Sequence, residues 1–211
     1  MDLVALLSSL GTVFLVEMPD ATFLAILVLA TRYRALLVWI GAAAAFTIQT
    51  GVAVALGTVA TLLPRTPMLI IVGCLFIIGA VMLFREAREH QTDDDAEAEE
   101  LAEAEQKVSA KAKPATGGKV IAISFVVLLF AEFGDLSHLL IISLVARYEA
   151  PIEVFSGSLL ALLIVAALAV TAGQAFLKLI KIHIVFYLGA VLCLLLAAGV
   201  AWDVLTDTGV I

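Results

Sequence analysis

Charge is scarce in this 211-residue chain: Lys, Arg, Asp and Glu make up 15% of it against 63% hydrophobic residues, and its mean hydropathy is +1.14. That scarcity excludes an ordinary soluble domain, because apolar runs of about 20 residues recur, the length that crosses the hydrocarbon of a bilayer. Cysteine is limited to Cys74 and Cys193, in apolar surroundings in separate halves. They read as small buried hydrophobes rather than a disulfide or a metal pair. With three histidines and no Cys/His cluster, the chain disfavours a structural zinc site. A basic N-terminal region is missing too: Asp2 stands in its place, and the apolar run that follows carries Glu17 and Asp20. The first apolar segment is therefore expected to be a membrane span and not a cleaved signal.

The formal charge of -7 is unevenly spread, since ten of the nineteen acids lie between residues 86 and 105. The pattern predicts an all-α membrane protein with six spans, over residues 3–30, 35–63, 68–84, 120–145, 151–177 and 182–205. Residues 85–118 form a polar, acidic linker of low apolar content, expected to be disordered or a fraying helix. Sliding the chain by 115 positions superposes Glu17 on Glu132, Asp20 on Asp135, Thr22 on Ser137, Arg32 on Arg147 and Tyr33 on Tyr148. Two three-span repeats, 1–84 and 119–211, follow. An odd number of spans in each requires the second to enter the membrane inverted.

Loop charge supports the inversion independently. The loops after spans one, three and five hold Arg32, Arg34, Arg85, Arg88, Lys107, Lys111, Lys113, Lys119, Lys178 and Lys181, against Arg65 and Arg147 on the other face. This places the linker in the cytoplasm and both termini outside. Arg32-Tyr33 and Arg147-Tyr148 read as snorkelling pairs at the two interfaces.

The feature that calls for chemistry is the doubled hexapeptide, Glu17-Met18-Pro19-Asp20-Ala21-Thr22 and Glu132-Phe133-Gly134-Asp135-Leu136-Ser137. Each copy begins 12–15 residues into its span, roughly 20 Å deep at 1.5 Å per residue. A carboxylate at that depth costs about 2.5–3.5 kcal/mol, so four together need a cation, protons or one another. Glu and Asp three apart share a helical face, whereas the hydroxyl lies about 140° away and joins them only if the helix is distorted. Pro19 can supply that distortion and frees the carbonyl of Leu15; Gly134 permits a bend without freeing a carbonyl. Carboxylate, hydroxyl and carbonyl oxygens suit hard divalent ions such as Ca²⁺ and Mn²⁺. When the ion leaves, the acids cannot all remain ionised, so protons replace it. Gln49, inside span two beside Thr47 and Thr50, and His138, three residues after Asp135, are further candidate ligands, each weighed against plain interhelical hydrogen bonding.

These motifs resemble those of the small six-span cation/proton exchangers that include the Golgi manganese and calcium transporters and bacterial manganese exporters. The hallmark there is two copies of Glu-x-Gly-Asp-(Lys or Arg)-(Ser or Thr), one per repeat, around a variable acidic linker. The resemblance covers nearly the whole chain outside the linker. It implies that Glu17, Asp20, Thr22, Glu132, Asp135 and Ser137 form the cation site, that Mn²⁺ or secondarily Ca²⁺ is exchanged for protons, and that the cation is exported across a bacterial plasma membrane. The chain departs from the pattern in Pro19, which replaces glycine, and in Ala21 and Leu136, which replace both basic residues. No resident cofactor is expected beyond the transported cation. The expected partners are that cation, protons and the lipid bilayer; nucleic acid is not among them, and a homodimer is left open.

Two rival readings are weaker. An exporter of a small organic cation would call for aromatic residues near the motifs, where only Phe23 and Phe133 stand. An intramembrane aspartyl protease would need glycine at Glu132 and a partner motif that the chain does not have.

Overall fold

The computed structural model describes residues 2–18, 21–92, 102, 106, 116–131, 136–179 and 182–207. Among them are eight α-helices and no strand: α1 Leu3–Glu17, α2 Ala21–Arg32, α3 Ala35–Ala60, α4 Arg65–Thr92, α5 Gly118–Ala131, α6 Leu136–Tyr148, α7 Pro151–Leu179 and α8 Ile182–Asp207. Local chemistry sets several ends. The carboxylate of Asp2 accepts from the N–H groups of Val4 at 3.0 Å and Ala5 at 3.1 Å, capping α1. Glu149 takes a left-handed φ of 52° after α6, its N–H donating to Val145 O at 2.9 Å, and Pro151 opens α7 where no N–H is needed.

Helices α3, α4, α7 and α8 are each long and apolar enough to cross a membrane, and the pairs α1/α2 and α5/α6 each qualify as one broken span. Exposed apolar side chains confirm which faces meet lipid. On α4 these include Ile70, Ile71, Ile77, Ile78, Val81 and Met82, and on α8 Leu188, Val191, Leu194 and Leu195, all about half exposed or more. So large an apolar surface belongs against acyl chains rather than water. The fold is therefore all-α and membrane-spanning, with up to six spans in two repeats.

The repeats interlock rather than sit side by side. Helix α1 packs on α7 as α5 packs on α3; α3 packs on α6 as α7 packs on α2; α1 meets α6 as α5 meets α2; and α3·α7 and α4·α8 pair across the centre. Glycines make the closest of these approaches symmetric at atomic detail. A Cβ on Gly41 of α3 would meet Ile121 O at 2.6 Å, Ser124 Cβ at 2.7 Å and Phe125 N at 3.0 Å. A Cβ on Gly157 of α7 would strike Ser9 Oγ and Leu6 O and meet Leu10 N at 3.2 Å. Leu6, Ser9 and Leu10 are the 115-residue counterparts of Ile121, Ser124 and Phe125. Close backbone approach through small residues is how helices associate where lipid removes the hydrophobic drive.

Three expectations change. Spans one and four are not continuous: α1 and α2 meet at 67°, α5 and α6 at 74°. The helix of the third span does not stop at residue 84: α4 continues to Thr92, through the first turns of the linker. Cys193 is buried as expected, but Cys74 is exposed on α4, on the same side as Ile70, Ile71, Ile77 and Ile78, where a small thiol is as well accommodated by lipid as by a core.

Candidate cation site

Both hexapeptides fall on the two breaks. Glu17 is the last residue of α1 and Thr22 the second of α2, while Ser137 is the second residue of α6. Asp20, Glu132 and Asp135 lie outside the described residues. Glu17, Thr22 and Ser137 are buried, at 1%, 2% and 1% exposure. A carboxylate so enclosed at mid-membrane depth requires a compensating charge or proton.

The breaks have a chemical cause. Proline at 19 cannot donate to Leu15 O, so α1 closes with Met18 N–H on Phe14 O at 3.0 Å. The second copy has no proline, yet α5 also stops. Common to both is an aspartate, Asp20 or Asp135, immediately before the first residue of the following helix, the position where a carboxylate satisfies orphan N–H groups. Each break juxtaposes a helix C-terminus, whose last carbonyls attract cations, with a helix N-terminus, which attracts carboxylates. Helix α1 packs on α6 and α2 on α5, so the half-spans of one repeat lie against those of the other.

The auxiliary candidates divide. Gln49, 3% exposed in the middle of α3, donates from Nε2 to Leu129 O of α5 at 2.8 Å. Only the nitrogen can serve a carbonyl, so the amide orientation is fixed. Its buried Oε1 then has no hydrogen-bond partner among the described residues. The position 116 residues on from Gln49 is Val165, so this contact belongs to one repeat alone. His138 is half-buried at the third position of α6. The Leu15 carbonyl lies near α8, 3.8 Å from where a Cβ on Gly189 would be. Among the described residues there is no group of three or more His, Cys, Asp or Glu side chains able to hold a metal. Three of the four motif acids are outside that set.

Sequence reasoning missed two things here. The aspartate ahead of each apolar half-span is a helix-start signal and could have revealed the breaks. Arg147, read as a snorkelling residue, instead turns inward: 14% exposed, it donates from Nη1 to Leu196 O at 2.8 Å and pairs through Nη2 with Asp203 at 3.6 Å.

Interlocked repeats whose first spans break at acidic motifs are an arrangement found in secondary transporters built from discontinuous helices. Comparison with known families narrows this class. The model of the family described as divalent cation/proton antiporter GDT1 matches residues 5–91 and 120–208, and the chain belongs to that family. Its members are transporters and not enzymes. A relative in rice (Oryza sativa subsp. japonica), named GDT1-like protein 2, chloroplastic, is 32% identical over 206 residues, covering 91% of this chain. The chain spans 59% of that relative's length. No solved structure matches the chain.

Proposed function

We propose that this protein exchanges a divalent cation for protons across a membrane, through one site built from Glu17, Asp20, Thr22, Glu132, Asp135 and Ser137. The observation that carries the reading is the coincidence of both acidic motifs with both helix breaks, with Glu17, Thr22 and Ser137 buried there. Gln49 Oε1 and Leu15 O supply neutral oxygen ligands, and His138 is a ligand or proton relay. Mn²⁺ is the cargo, with Ca²⁺ next, since every donor in this set is oxygen or imidazole nitrogen. Exchange follows from electrostatics: carboxylates crowded in low dielectric cannot all stay charged once the cation departs, so its exit draws protons in.

The repeats take residues 1–84 and 119–211, with 85–118 as a cytoplasmic linker whose first turns extend α4. Loop arginines and lysines put the linker in the cytoplasm and both termini outside. In a bacterial plasma membrane the inward proton gradient then drives the cation out. The partners are the cation, protons and lipid, with self-association to be read from the mass of the purified protein.

Proteoliposomes under an imposed pH gradient test this directly. Mn²⁺ should accumulate against the proton flow, Ca²⁺ more weakly, and collapse of the gradient should stop both. Flux indifferent to that collapse would make the protein a channel or uniporter.

A further inference from the structure

The interlocking of the repeats is symmetric except in one respect. Helix α4 packs on α6 and α8 packs on α1, but the symmetry-related pairs, α8 with α2 and α4 with α5, are in at most marginal contact among the described residues. Helices α1 and α6 are the half-spans on the side of Asp2 and Tyr148; α2 and α5 are the half-spans on the side of Arg32 and Gly118. The central α4·α8 pair is therefore closed against the first side and not against the second.

On the first side an Arg-Tyr pair is docked against α8 and α1. Arg147 is drawn into the bundle by Leu196 O and Asp203, and its Cζ lies 5.3 Å from the centre of the Tyr148 ring. Gly199 makes the docking feasible: a Cβ there would overlap Arg147 Nη2 and come within 3.0 Å of Cζ. Tyr148 Oη in turn donates to Ser8 Oγ of α1 at 3.1 Å, so α1, α6 and α8 are tied at one end. On the other face a cavity of about 560 Å³ opens between the start of α3 and the start of α5, its wall including Arg32, Tyr33, Leu37 and Gly117.

We infer that this conformation is sealed on the Tyr148 side and accessible from the Arg32 side, and that Arg147, docked on Leu196 O and Asp203 over Gly199, is the latch that holds the seal. Naming the sealed side external rests on the topology proposed above. The latch sits beyond Leu15, the residue at the break end of α1 that faces Gly189 of α8, and so guards the site without touching it. An alternating-access cycle must undo it each time the site turns to the Tyr148 side.

Thr12 provides the reporter. It is 1% exposed and lies on the α1 face between Ser8 and Leu15, four residues from one and three from the other. In full-length protein carrying Cys74→Ala, Cys193→Ala and Thr12→Cys, a membrane-impermeant maleimide applied from the Tyr148 side should react slowly. Arg147→Ala or Gly199→Ala should speed that reaction about tenfold, the effect of losing one charge-assisted contact on a closed-to-open equilibrium. Arg147→Lys should recover part of the protection. Monodisperse elution of each variant establishes that the fold is intact. A rise in either variant supports the latch; fast labelling before mutation, or no rise in both folded variants, overturns it. Labelling needs no transported ion, so its failure is distinguishable from failure of the exchange reading.

Discussion

A carboxylate that ends one half-helix and a hydroxyl near the start of the next make the smallest unit of the proposed site. Glu17→Gln removes a buried charge while keeping shape, so insertion should be intact or improved and divalent-cation transport abolished or strongly impaired. Vesicle uptake checks this; wild-type affinity in Glu17→Gln would count against a ligand role. Thr22→Ala and Ser137→Ala should be milder, because a neutral oxygen contributes less than a charged one. Gln49→Leu removes the bond to Leu129 O and the spare oxygen together, and should weaken apparent Mn²⁺ affinity about tenfold, the equivalent of about 1.4 kcal/mol. Gln49 and its position in the membrane are legible in the sequence. Its partner is not, because Leu129 lies 80 residues away and is recognised by a backbone carbonyl that no side-chain pattern reveals.

At the scale of elements, helix breaks and glycine contacts set the architecture. Gly41→Ala and Gly157→Ala each place a methyl against backbone and side-chain atoms of the opposite repeat, and should destabilise the protein by about 1–3 kcal/mol. Gly51, in the same helix as Gly41, has nothing within 4 Å of a Cβ. Gly51→Ala should therefore be neutral or slightly stabilising through helix propensity. Thermal unfolding in detergent separates these outcomes, and equal losses at all three positions would contradict the packing account. The six apolar segments and the repeat were readable because hydropathy and a 115-residue period are properties of the chain alone. The bends of 67° and 74° were not, since ideal-helix geometry treats an apolar run as continuous. Pro19 and Gly134 signalled local distortion, and the aspartate ahead of each half-span a new helix start, but none of them sets the size of the bend. The second break arises at a copy that has glycine instead, so proline is not its general cause, and Pro19→Gly should retain transport.

Across the whole molecule, two similar sequences adopt unequal packing around a common centre, and on the proposed reading transport exchanges that inequality between faces. Loop charge carries the proposed orientation of the repeats. Which face is closed, as inferred above, was not legible in the sequence, because the groups that dock Arg147, Gly199 and Asp203, lie on α8, remote in sequence from it. The central claim is that the two motifs make one site in which a divalent cation and protons compete. Isothermal calorimetry of Mn²⁺ binding to detergent-purified protein, repeated in buffers of different ionisation enthalpy, tests it most directly. The account predicts one ion per chain, a binding enthalpy that varies with the buffer because protons are released, and loss of binding in Glu17→Gln and Glu132→Gln alike. Two independent ions, a buffer-independent enthalpy, or unaltered binding after either substitution would contradict it.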